Sequence, residues 1–229
     1  MFTLYPHFYW SLWACADGKK RVYYANMNHN EFIVVDVETT GFKPTEGHCI
    51  IEIAAERLRE SNVVDTYHSL VISERSIDPE TVLIHGITEE LLRLEGRPVH
   101  EVMQEFVSFI KDAPLIGHNI GFDLAFINAH LERLSLPRLT NKTIDTIELA
   151  RKYLIIPSYS LEKVSAYLKV PQPSAHRAKV DVEVTRQVFL KLNERAQARG
   201  GKVAPAAAQP GTNPQKPVPP IIPPPTRLF

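Results

Sequence analysis

Four carboxylates and one histidine have the types and spacing to bind a hard cation and move a proton. Asp36 and Glu38 stand two apart where the apolar run of EFIVVDVETTG ends. A strand repeats every two residues, so both side chains fall on one face of a sheet. Carboxylates at the end of an apolar strand are costly unless paired or bound to a cation. Their hard oxygens suit Mg²⁺ or Mn²⁺. A pair of solvated charges at a strand end fits that spacing equally well. Asp123, in HNIGFD, lies just inside a helix start, where the dipole favours an anion. Taken alone, a charge that only stabilises its helix is the simpler reading. His176 and Asp181 share the segment HRAKVD. Pro171 and Pro173 put His176 on a loop, and Asp181 begins or enters the last helix. A loop histidine beside metal-bound carboxylates could act as a general base, because its pKa lies near neutrality. The plain alternative is a surface histidine.

Two features imitate these. Asp181-Val182-Glu183 repeats the Asp-x-Glu spacing, and KVDVEVT alternates as a strand does. Val184, Val188 and Leu192, with no turn signal before residue 199, favour helix. His118 has ligand chemistry, but between Gly117 and Asn119 it reads better as a structural turn contact.

The elements that must carry these groups alternate in type. Phe32 to Val35 is a β-branched apolar run, as in a strand buried on both faces. Residues 49–58 and 66–73 read as two more strands, antiparallel neighbours joined by short turns. Short helical segments surround His85-Gly86 within residues 80–94. Apolar residues at 99, 102, 103, 106, 107 and 110 predict a helix over 98–112. A short strand at 114–119 and a helix at 121–134 follow. Ser160 is a good N-cap for a helix over 160–168, though Lys163 stands where a capping box needs Glu or Gln. Helices interleaved with strands give an α/β fold with an antiparallel edge.

Composition sets further bounds. Of 229 residues, 26 are Lys or Arg and 26 are Asp or Glu, for a formal charge of zero. That argues against tight, non-specific nucleic-acid binding by charge alone. The two cysteines, Cys15 and Cys49, form neither a disulfide framework nor a four-thiolate site, so a reducing cytoplasm is expected. No stretch of about 20 apolar residues predicts a membrane span. The organisation reads as an N-terminal extension (1–30), a patterned domain (31–199) and a Pro-rich tail (200–229). The extension is aromatic, with Ala14-Cys15-Ala16 resembling a cleavage site. It has no Lys or Arg in its first ten residues, which argues against a secretory leader, and Met27 is an alternative start. Nine of 18 prolines fall in the tail, so polyproline II or disorder is expected there.

Together, DVETTG, HNIGFD and HRAKVD resemble the three motifs of the DEDDh exonuclease superfamily, with its His-x4-Asp spacing. Softer features agree: IIEIAA, HGIT and DTIELARKYL, over about residues 31–195. The likeness is nearest to the proofreading subunits of bacterial replicative polymerases and their stand-alone relatives. It implies a ribonuclease H-like mixed β-sheet flanked by helices, and a 3′→5′ exonuclease using two Mg²⁺ or Mn²⁺ ions. Asp36 would bridge both ions, and Glu38 and Asp181 would help hold the one that carries the attacking water. Asp123 would serve the second ion, and His176 would be the base. Thr39, Thr40, Phe42 and the His85-Gly86-Ile87 segment would meet the terminal nucleotide. The implied substrate is a single-stranded or frayed DNA 3′ end, in proofreading or repair, with RNA ends as the nearest alternative. A binding module that has lost catalysis is a third. The implied partners are a polymerase catalytic subunit or, through the terminal Thr-Arg-Leu-Phe, a sliding clamp. The aromatic extension and proline tail depart from the family pattern.

Overall fold

The apolar run after Glu31 forms the central strand β1 (Glu31–Thr39), buried on both faces as its composition requires. The computed structural model describes residues 31–173, 176–201 and 203–206. The expectations for the N-terminal extension and for the tail beyond residue 206 lie outside the described residues. Strand β1 pairs antiparallel with β2 (Ile50–Arg59), and β2 with β3 (Asn62–Leu70). On its other side β1 runs parallel to β4 (Leu115–Gly117), and β4 to β5 (Thr143–Asp145). The sheet order is β3-β2-β1-β4-β5, a mixed sheet with an antiparallel edge.

The helices follow the predicted order. Two short ones, α1 (Pro79–His85) and α2 (Glu89–Glu95), flank Gly86, which ends α1 in the left-handed region at φ 69°. Then come α3 (Val99–Ile110), α4 (Ile120–Arg133), α5 (Thr146–Tyr153), α6 (Leu161–Leu168) and α7 (Ala178–Ala198). Ser160 caps α6 by accepting from the Lys163 amide, so the N-cap works without a complete box. KVDVEVT is helical.

Alternation along β1 assigns each sheet face its cover. Ile33, Val35 and Val37 pack with Met103, Phe106, Phe126 and Leu131 of α3 and α4. Phe32 and Val34 pack with Ala178, Val182 and Phe189 of α7 on the opposite face. Asp36 and Glu38 continue that second row. The remaining apolar stripe of α7, Val184, Val188 and Leu192, meets α5 and α6. The packed region extends past residue 199: Val203 joins the core, and Ala206 exchanges backbone hydrogen bonds with Thr143.

One irregularity sits beside the carboxylates. Glu38 opposes Glu52, but Thr39 opposes Ile50, so Ile51 is an extra residue in β2. Such a bulge bends its strand and re-aims side chains. Ile51 leaves the main core and packs with Leu70, Ile77, Ile87 and Leu92 under α1 and α2.

Candidate active site

The site lies where β1 and β4 end, the edge of a parallel pair at which α/β proteins place ligands. Asp36 and Glu38 project from β1 toward the first turn of α7, which supplies Asp181. Ligand oxygens of the three lie within 4.8 Å of one another, and all three side chains are buried. Asp181 Oδ1 is buried and accepts no hydrogen bond among the described residues. Three carboxylates withdrawn from water, one with an open acceptor, have the chemistry of a site for a hard divalent cation. His176 stands just before α7, one-third exposed, with Nδ1 3.6 Å from Asp181 Oδ2.

Asp123 is fully buried in the first turn of α4. Its Oδ1 accepts the Val37 amide at 3.1 Å. Ile33, four residues back on the same strand edge, donates to Pro114 beside β4. Past the end of β4 that edge of β1 needs another acceptor, and Asp123 supplies it between Asp36 and Glu38. Asp123 therefore ties α4 to the strand that carries the other two carboxylates.

The turn after β1 is tightly determined. Thr39 Oγ1 donates to Gly41 O at 2.6 Å. The Thr40 amide donates to Cys49 O, and its carbonyl accepts from Asp78 N. The Thr40 hydroxyl accepts from Cys49 N and lies 3.2 Å from His48 Nδ1. Thr40 thus uses both backbone groups inside the protein. A Cβ on Gly41 would lie 2.2 Å from the His48 ring, so only glycine fits there. Phe42 is half-buried. His85 is buried, and its Nδ1 accepts the Ile87 amide at 3.0 Å, which fixes the Gly86 turn. His118 lies 2.8 Å from Thr146 Oγ1 and 2.9 Å from Tyr159 O, partners on other segments and not within the turn expected for it.

The sequence reading missed Glu52. This residue lies opposite Glu38 on β2 and has no exposed surface. Its Oε1 is 2.8 Å from both His68 Nε2 and Arg177 Nη2. Its Oε2 accepts Arg177 Nε and the Ala178 amide, each at 3.0 Å. Burial alone would raise its pKa, but the hydrogen bonds from His68 and Arg177, the arginine's charge and the amide outweigh that and hold it at about 2. The available signal was a charge inside the apolar run CIIEIAAERL. His130, on α4, is a contrasting buried group. Burial, with some help from Arg133, pushes its pKa down to about 4, and its neutral ring accepts the Ile50 amide at 3.0 Å.

The mixed five-stranded sheet thus gathers Asp36 and Glu38 of its central strand with Asp181 of α7, and His176 stands beside Asp181. The chain belongs to the RNase T exonuclease family, whose sequence profile matches residues 33–189. It is 37% identical over 163 residues to the PolC-type DNA polymerase III of Thermotoga maritima, a match covering 71% of this chain and 12% of that protein. It is 34% identical over 179 residues to the PolC-type DNA polymerase III of Streptococcus mutans, covering 76% of this chain and again 12% of the relative. The chain thus spans about an eighth of these relatives. Among solved structures, E. coli exonuclease I with a dT13 oligonucleotide superposes with a TM-score of 0.66 at 23% identity, covering 74% of this chain and 42% of that one. Exonuclease X with 5′-overhanging duplex DNA gives 0.56 at 22%, covering 74% and 93%. These likenesses establish the fold. No helix among the described residues is long and apolar enough to cross a membrane.

Proposed function

We propose that this chain is a metal-dependent 3′→5′ exonuclease. It removes nucleoside monophosphates from single-stranded or frayed DNA ends, in the cytoplasm, during replication proofreading or repair. The convergence of Asp36, Glu38 and Asp181 within 4.8 Å, with His176 beside Asp181, carries the reading. The kinship with PolC-type DNA polymerases and the fold shared with DNA-bound exonucleases support DNA as the substrate.

Asp36, Glu38 and Asp181, with Asp123 completing the set, would hold two Mg²⁺ or Mn²⁺ ions. When bound, such ions offset charge on the phosphate and on both the attacking and leaving oxygens of an in-line displacement. The protein's own groups do the rest. His176, with Nδ1 turned to Asp181, takes the proton of the attacking water at Nε2. Asp123 holds β1 in place through Val37, and the locked Thr40 turn presents Thr39 and Phe42 toward the terminal nucleotide. Phe42 offers a stacking surface without base preference. His85 acts through the Gly86-Ile87 turn that it fixes beside the terminal sugar.

The test is digestion of matched 5′-labelled single-stranded DNA and RNA with Mg²⁺, with EDTA, and with Asp36→Ala. A metal-dependent ladder shortening from the 3′ end, faster on DNA and absent in the variant, is expected. Preference for RNA would move the function to RNA trimming, since discrimination rests on contacts to one 2′-hydroxyl. No cleavage, with no Mn²⁺ binding, would leave a binding module. Loss of clamp affinity on deleting residues 224–229 is the corresponding test of the terminal Leu228-Phe229.

A further inference from the structure

Helix α7 starts without a cap of its own. Its N-cap residue, Arg177, makes no side-chain capping bond, and a guanidinium has no acceptor to offer. The missing acceptor arrives from another strand, 126 residues away in sequence: Glu52 takes the Ala178 amide. The same carboxylate grips Arg177 through two nitrogens, and His68 of β3 shares its Oε1. Each carboxylate oxygen thus has two partners, which fixes its orientation as well as its position. A negative group at a helix N-terminus also meets the dipole favourably.

The residues so fixed are the immediate neighbours of the candidate chemistry. His176 adjoins Arg177, and Asp181 lies one turn into α7. We propose that Glu52 is a positioning residue of the active site: with Arg177 it sets the position of His176 over the acidic cluster. It touches neither substrate nor reacting atoms. This inference rests on the reading of His176 as the general base.

A double-mutant cycle on the full-length chain tests it, using Mn²⁺, saturating 5′-labelled single-stranded DNA, and the variants Glu52→Gln, His176→Ala and both together. Gln keeps the size of the side chain but turns one acceptor oxygen into a donor facing other donors. Glu52→Gln should lower kcat by about 10–100-fold, the usual effect of losing a partner that orients an active group. KM should stay within about threefold, because uniform substrate binding is untouched. The double variant should fall no more than about threefold below His176→Ala, because once the base is gone its placement has no value. Should Glu52→Gln fail to fold, Arg177→Ala enters the same cycle, since that side chain is one-third exposed and Glu52 keeps the Ala178 amide. Equal loss from the Glu52 or Arg177 change in both backgrounds would overturn the proposal and leave the network a structural tie. Full activity of His176→Ala alone would overturn it differently, by removing the base itself.

Discussion

Glu38 and Glu52 face each other across β1 and β2, yet their surroundings are opposite. Around Glu52 the protein supplies an arginine, a histidine and a backbone amide. Around Glu38 it gathers two more carboxylates, Asp36 and Asp181. One cluster is closed by its own partners, whereas the other has the chemistry to receive a cation. The comparison teaches that burial of a carboxylate says little until its neighbours are read: the first site is matched by cationic and amide partners, and the second sets carboxylate beside carboxylate.

The largest expected effect is at the open cluster. Asp36→Ala should reduce exonuclease activity to the background without enzyme. In EDTA its Tm should equal or exceed that of the unaltered protein, because one repelling charge is gone. Saturating Mn²⁺ should raise the Tm of the unaltered chain and leave the variant unmoved. A much lower metal-free Tm in the variant would erase the contrast between the clusters. Next, His176→Ala should lower turnover by about 10²–10⁴-fold with unchanged stability, the range for a lost general base.

Glu52 should behave in the reverse sense from Asp36. Its pKa falls from an ordinary 4.5 to about 2 on folding, which corresponds to about 3 kcal/mol of stability at neutral pH. The folded form holds its proton more weakly, so that stability is present above pH 4.5 and drains away as pH falls toward 2. Glu52→Gln should lose a similar amount at pH 7 and show a flatter denaturation profile across that window. His130 works at milder acidity. The unfolded chain takes up its proton near 6.5 and the folded one only near 4, so stability should fall by about 3 kcal/mol as pH drops between those values. Replacing His130 with Gln, whose oxygen can still accept the Ile50 amide, should flatten denaturation midpoints between pH 6.5 and 4.

Much of this arrangement was legible in the residues. Strand β1 announced itself as an apolar β-branched run, and α3 by its helical spacing. Asp36, Glu38 and Asp181 lie together with His176 beside Asp181, while Asp123, the fourth carboxylate singled out, binds the Val37 amide. What escaped had physical causes. Strand β5 is three residues long, too short to carry a period. The first five residues of β3 are exposed, so no alternation marked where it begins. The strand-like alternation of KVDVEVT arose because α7 has two covered sides, one on the sheet and one on α5 and α6. Glu52 hid because its partners come from β3 and from the start of α7, and no local pattern encodes a contact across 125 residues.

That separation has a consequence for how the molecule comes into being. Strands β1 and β2 emerge from the ribosome before α7, and their antiparallel pairing can form without it. Asp181 and the clamp on Glu52 belong to α7, the last helix described. Loop-closure entropy must be met before these distant contacts stabilise anything. Until α7 follows, the growing chain carries Asp36, Glu38 and Glu52 without the element that completes either cluster. Docking of α7 is what brings Asp181 to Asp36 and Glu38 and Arg177 to Glu52, so a chain ending before α7 would hold neither cluster complete.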